Sequence, residues 1–145
     1  MPFAVEEQVV RDMEARLARI TPDNGYATDA GLRVLPHDPE PSAEPIGPWV
    51  QVGDILVERT GLAGGWQIGV QVGGFVNTST DAWRADAFAL LDDMTKALQE
   101  YTPGLVCVPQ ASRPRVTEKR VEPREPGSNY AMVAVTSTVV YQERQ

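Results

Sequence analysis

Apolar residues at Val9, Val10, Met13, Leu17 and Ile20 recur at helical spacing, and Glu6, Glu7, Arg11, Asp12 and Arg16 fill the positions between them. This pattern predicts an amphipathic helix over 5–20. Pro22 disfavours helical geometry at Thr21, and Asp23-Asn24-Gly25 is turn chemistry, so the helix is expected to end there. Beyond it, 35–48 holds Pro36, Pro39, Pro41, Pro45 and Pro48 with Asp38, Glu40 and Glu44. That density of proline denies the stretch both a helix ladder and a central strand position, leaving a long acidic loop. Loops of this length are usually functional or disordered.

From Trp49 the period changes to two. Val50 and Val52 alternate with Gln51 and Gly53, and Ile55-Leu56-Val57 follows as a run expected to be more buried. After Thr60-Gly61-Leu62-Ala63-Gly64-Gly65 the alternation resumes at Trp66, Ile68, Val70 and Val72, which predicts a β-hairpin around a glycine turn. Gly69, Gly73 and Gly74 are expected to mark bulges or close backbone approaches. Thr78-Ser79-Thr80-Asp81 offers N-caps and an acidic first turn to a second helix over 81–98, whose apolar face is Trp83, Ala87, Leu90, Leu91, Met94 and Leu98. Pro103-Gly104 stops it, and Leu105-Val106-Cys107-Val108 reads as a short buried strand.

The stretch 109–127 again carries prolines, now with basic residues, and reads as a second loop. A final strand over 128–141 places Val133, Val135, Val139 and Tyr141 on one face, with Tyr130, Met132, Thr136 and Thr138 on the other. The order is helix, long loop, hairpin, helix, strand, basic loop, strand. It predicts an α+β fold with an antiparallel or mixed sheet, two helices packed on one face and long loops, all within one domain over 1–145.

Composition narrows the functional classes. The chain has 145 residues, 42% hydrophobic and 23% charged, which suits one soluble domain with a real core. No apolar run reaches the roughly 18 residues of a membrane span, and Glu6, Glu7, Arg11 and Asp12 break any secretory signal, so the protein is expected to stay where it is made and to bind no membrane. Cys107 and His37 are single, which excludes a structural zinc cluster and an internal disulfide. The formal net charge of −7 argues against general nucleic-acid affinity.

Candidates for catalysis are few. His37 reads as a solvated loop residue and Cys107 as a buried inert thiol. Asp92 and Asp93 diverge by about 100° on a helix, so they form no paired-carboxylate site and read as a solvated helix face. The glycines of 61–74 match neither phosphate-binding fingerprint. The expectation is a protein without enzymatic activity, cofactor or metal.

Charge is segregated along the chain. Between Arg113 and Arg124 there are five basic and two acidic residues, a local net of +3, so the rest carries −10. Glu118 and Glu122 interleave with the basic residues and no aromatic residue lies among them, which speaks against nucleic-acid stacking. An exposed charged loop is the plain reading. The sharper one is a head-to-tail contact in which Arg113, Arg115, Lys119, Arg120 and Arg124 meet Asp38, Glu40 and Glu44 of an identical neighbour.

Three stretches in order resemble the tail-terminator proteins of long-tailed bacteriophages, the group of minor tail protein U and related neck proteins. They are the opening helix running into Ala18-Arg19-Ile20-Thr21-Pro22-Asp23-Asn24-Gly25-Tyr26-Ala27-Thr28-Asp29, the helix 81–98, and the strand Tyr130-Ala131-Met132-Val133-Ala134-Val135 ending at Tyr141. The resemblance does not extend to the proline-rich loop 36–48, whose role it leaves open. It implies a structural virion protein, assembled in the host cytoplasm, that forms a homo-oligomeric ring, usually a hexamer. Such a ring caps the last ring of tail tube protein, ends its polymerisation and presents a surface to the head-tail connector protein.

A domain of this size has a radius of gyration of roughly 15 Å, so six in a ring leave a hole about 38 Å wide, enough for duplex DNA to pass. Six copies at −7 carry −42, which would keep DNA sliding through the lumen without being bound. The alternatives are another neck or head-completion protein of a phage, or a small-ligand-binding α+β domain, which would need a deep pocket with converging polar groups.

Overall fold

The valine-rich alternation organises the centre of the molecule. The computed structural model describes residues 4–35, 47–61, 64–78, 82–99, 111–112, 114–122 and 129–142. Within them the chain forms α1 (Val5–Leu17), β1 (Val34–Leu35), β2 (Trp49–Arg59), β3 (Gly65–Asn77), α2 (Trp83–Gln99), β4 (Arg115–Val121) and β5 (Tyr130–Gln142). Two short 3-10 turns, Pro22–Asn24 and Ala30–Leu32, lie between α1 and β1. The strands make one sheet of order β1-β2-β3-β5-β4, with β1 parallel to β2 and every other pair antiparallel. The fold is therefore α+β with a mixed sheet and two helices. No helix among the described residues is long and apolar enough to cross a membrane.

Period 2 sorts the sheet into two faces. On one, Val50 and Val52 of β2, Ile68, Val70, Val72 and Val76 of β3, and Val133, Val135, Val139 and Tyr141 of β5 are buried in a single core with both helices. That is the face expected for the closing strand. Helix α2 buries Ala87, Leu90, Leu91, Met94 and Leu98 against it, and α1 adds Val9, Met13 and Leu17. The opposite face carries an aromatic trio: Trp49 stacks on Phe75 at 4.8 Å, and Tyr130 meets both rings edge-on. Such pairs add to burial and tie β2, β3 and β5 together across the sheet.

Glycine decides how closely α2 can approach. A Cβ on Gly74 would sit 2.5 Å from Met94 Sδ and 2.9 Å from Leu90 Cδ2, so this position is a close helix-to-sheet approach, as expected. Gly73 is also crowded, whereas Gly69 has nothing nearer than 4.0 Å. The register shifts occur elsewhere, between Val52 and Ile55 on β2 and between Val116 and Glu118 on β4. No shift falls at Gly69, Gly73 or Gly74.

Four expectations change. Helix α1 ends at Leu17 instead of Ile20, although Ile20 remains fully buried. Arg16, assigned to the polar surface, is only 3% exposed, because its guanidinium is held by Asp12 one turn earlier at 2.9 Å. Ile55, Leu56 and Val57 are exposed although Val70 and Ile68, the β3 partners of Ile55 and Val57, are fully buried: the three stand on the outer strand of the hairpin, and Leu56, opposite Gly69, is on the sheet face away from the helices. The segment around Arg115, Lys119 and Arg120 is strand β4 at the sheet edge and not a loop. Pairing with β5 supplies the hydrogen bonds that local composition does not predict. The expected strand 105–108, with Cys107, lies outside the described residues, as does His37.

One titration is tied to this packing. Partial burial, reinforced by the nearby Glu7 carboxylate, raises the Glu14 carboxyl above its ordinary value, with Arg11 opposing. A carboxyl whose folded pKa is raised favours the folded state at low pH and disfavours it once pH passes the folded value. Glu14→Gln is therefore expected to stabilise the protein at pH 7 by under about 0.5 kcal/mol, a small figure because the group is substantially solvated. The gain should vanish near pH 3.5. Urea melts at the two pH values check it, and a gain that is larger at low pH would contradict the assignment.

Candidate functional site

Two regions bring chemistry-bearing side chains together. The first is the turn after α1. Thr21 is extended, as a residue before proline must be, and Gly25 adopts φ 89°, which favours glycine. The turn then docks onto α2. Asp93 Oδ1 accepts from the Ala27 amide at 3.1 Å, and Oδ2 accepts from the Thr28 amide and hydroxyl, each at 2.8 Å. One helical turn on, Lys96 places its ammonium 4.9 Å from the centre of the buried Tyr26 ring and 3.5 Å from the Gly25 carbonyl.

This corrects the reading of Asp92-Asp93 as a solvated face. Asp92 is exposed, but Asp93 is 3% exposed and has three hydrogen bonds. A sequence signal was available. Asp93 stands three residues after Leu90 and four before Ala97, on the apolar stripe itself, where a carboxylate is costly unless donors meet it.

Beside this turn, Ala27, Thr28, Asp29, Pro48 and Asp86 contribute to a cleft of about 410 Å³. Its polar groups are largely committed. Arg33 donates to Asp29 Oδ1 at 2.9 Å and to the Pro48 carbonyl at 3.0 Å, so it fastens the cleft wall to the start of β2. The same hydrogen bond holds the Asp29 carboxyl below its ordinary value. The lining combines apolar surface with carboxylates, and Asp29 is already neutralised by Arg33.

The second region is the β4 edge. Arg115, Glu118 and Arg120 lie opposite Thr138, Thr136 and Ala134 of β5, on the sheet face away from the helices. Lys119 and Val121 lie opposite Val135 and Val133, on the helix side. Arg120 is engaged locally, 2.9 Å from Glu122 and 3.6 Å from Glu118. Among the described residues Arg115 and Lys119 have no ion-pair partner, so the basic character of this edge rests on those two. Arg113, Arg124, Asp38, Glu40 and Glu44, the other expected interface residues, lie outside the described residues.

Sequence reasoning missed the carboxylates at the opposite edge of the sheet. Asp54 and Glu58 on β2 are exposed, and neither has an ion-pair partner among the described residues. Their position became meaningful only once β2 and β4 were seen to be the two long flanks of one sheet. In comparison with known proteins, no family model matches the chain and no curated protein matches it.

Proposed function

We propose that this protein is a tail-terminator-like structural component of a long-tailed bacteriophage: a subunit that assembles into a ring, caps the tail tube, ends its polymerisation and offers its other surface to the head-side connector. Its place is the tail or neck of the virion, and it works through interfaces rather than catalysis.

The observation that carries this reading is that the three stretches behind the resemblance form one packed unit. Asp93 and Lys96 of the second stretch hold the Gly25-Tyr26-Ala27-Thr28 turn of the first. Helix α2 of the second also lies over Val133 of the third, where Gly74 lets it approach. Residues distant in sequence thus support one another as a common scaffold would require.

The decisive test mixes purified protein with isolated tail tubes and follows tube ends by negative-stain microscopy. Rings at tube ends and arrested elongation are expected. A protein that remains monomeric at high concentration and leaves tube ends bare and growing would overturn the reading.

A charge prediction accompanies it. Arg115→Glu with Lys119→Glu should weaken self-assembly about tenfold while leaving the subunit folded, because exposed charges contribute little to stability but much to complementary docking. Arg120 is left intact in this variant, since reversing it would set three carboxylates side by side at Glu118, position 120 and Glu122. Sedimentation of variant and parent at matched salt provides the measurement. Unchanged assembly would remove β4 from the interface.

A further inference from the structure

Among the described residues, both long flanks of the sheet are open. β1 covers β2 only at Val50 and Gln51, and among the described residues no strand lies against the outer side of β2 at 54–59 or of β4 at 118–121. Backbone polarity at these flanks can be read from the register. Thr60 donates inward to Gly65, and inward bonding alternates along an antiparallel pair, so Val57 and Ile55 turn their N–H and C=O groups outward. On the other flank Glu122 donates inward to Met132, so Val121 and Lys119 turn outward.

The side chains match this openness. Ile55, Leu56 and Val57 are 37%, 60% and 38% exposed on one flank, and Val121 is 42% exposed on the other. Asp54 and Glu58 stand on the first flank and Arg115 and Lys119 on the second, none with an ion-pair partner among the described residues, while Arg59 on the first flank lies over the Trp66 ring. A long apolar edge strand is a template for another chain, and opposite charge selects which chain.

Direction completes the case. β2 is antiparallel to β3, β3 to β5 and β5 to β4, so β4 runs opposite to β2. A second copy placed beside the first with its helices on the same side therefore brings its β4 antiparallel to the open half of β2.

We propose that copies of this chain join by strand addition, the outer edge of β2 at 54–59 of one copy pairing with the outer edge of β4 of the next, so that the sheet runs continuously from subunit to subunit. The contact is heterologous: each copy uses one edge for each neighbour, which closes into a ring or extends as a filament according to the rotation per step. It rests on the reading that the protein works as an assembly of identical subunits, and it names the seam.

The experiment is hydrogen exchange of the full chain across a concentration series, paired with sedimentation. The outward backbone amides of Ile55, Val57, Lys119 and Val121 should gain protection together as the protein assembles, with the 83–99 helix unchanged. Val57→Pro removes an outward N–H without deleting a β2–β3 bond and should raise the half-assembly concentration at least about tenfold. Val121→Lys, which leaves the backbone intact, should act in the same direction.

Charge exchange gives a readout that a purely structural role would not move. Asp54→Lys with Glu58→Lys should impair assembly, and combining it with Arg115→Glu and Lys119→Glu should restore it. Assembly that leaves both edges unprotected, or that survives Val57→Pro and Val121→Lys, overturns the seam while leaving the ring reading standing. A parent protein that stays monomeric with and without tail tubes overturns both.

Discussion

Replacing Gly31 by alanine is expected to lower stability by about 3 kcal/mol, near the upper end of what overpacking produces in a close-packed interior. A Cβ there would lie 2.6 Å from the Ala18 carbonyl oxygen and 2.7 Å from the Ile20 nitrogen. Both neighbours are backbone, so neither can rotate away as a side chain could. The approach is also bonded, because the Gly31 amide donates to the Ile20 carbonyl at 2.8 Å and joins the Ala30–Leu32 turn to the segment that follows α1.

In a domain of this size each kcal/mol moves the melting temperature by about 4 °C, so a fall of about 12 °C is anticipated. Gly69→Ala is the control. Its Cβ meets nothing closer than 4.0 Å, and exchanging a strand glycine for alanine removes unfolded-state freedom, so the change should be neutral or slightly stabilising. Equal losses at both positions would show that the close approach at Gly31 does not exist in solution.

Asp93→Ala is expected to cost about 2–3 kcal/mol, through loss of charge-assisted hydrogen bonds and of the docking they hold in place. Ala27 is exposed, so water can satisfy its amide once the carboxylate is gone, which keeps the figure below the sum of three separate bonds. Thr28→Val removes only the hydroxyl contact and should cost about 1 kcal/mol. Asp92→Ala, on the exposed side of the same helix, should stay within about 0.5 kcal/mol. Urea denaturation of the three variants orders them. The variant also has a local signature, since amides in 21–29 should exchange faster while those of β3 and β5 keep their protection. If Asp92 and Asp93 prove equally tolerant of alanine, the anchoring of this turn is wrong.

Both predictions concern the join between α1, its following turn and α2, the part of the molecule least visible in local pattern. Helical spacing identified the apolar faces of α1 and α2, and alternation placed Val133, Val135, Val139 and Tyr141 on the covered side of β5. Those signals survive because burial acts on every third or fourth residue of a helix and on every second residue of a strand, whatever the partner. The basic segment escaped for the converse reason. A run such as Arg115–Val121 has no apolar alternation, and it becomes a strand only because β5 presents a free edge beside it.

The candidate interfaces divide in the same way. Segregated charge was legible as arithmetic along the chain, but arithmetic cannot tell that Arg120 is already held by Glu118 and Glu122, leaving Arg115 and Lys119 without ion-pair partners among the described residues. Nor can it tell that Ile55, Leu56 and Val57, apolar in composition, stand at the surface on the outer strand of the hairpin while their neighbours Ile68 and Val70 on β3 are buried. Composition and periodicity are properties of neighbours in sequence, and they are enough to set the class of elements and the faces that turn inward. Edge positions, ion-pair choice and the burial of a lone carboxylate such as Asp93 depend on which groups arrive from 65 residues away, so only the assembled sheet and helices decide them.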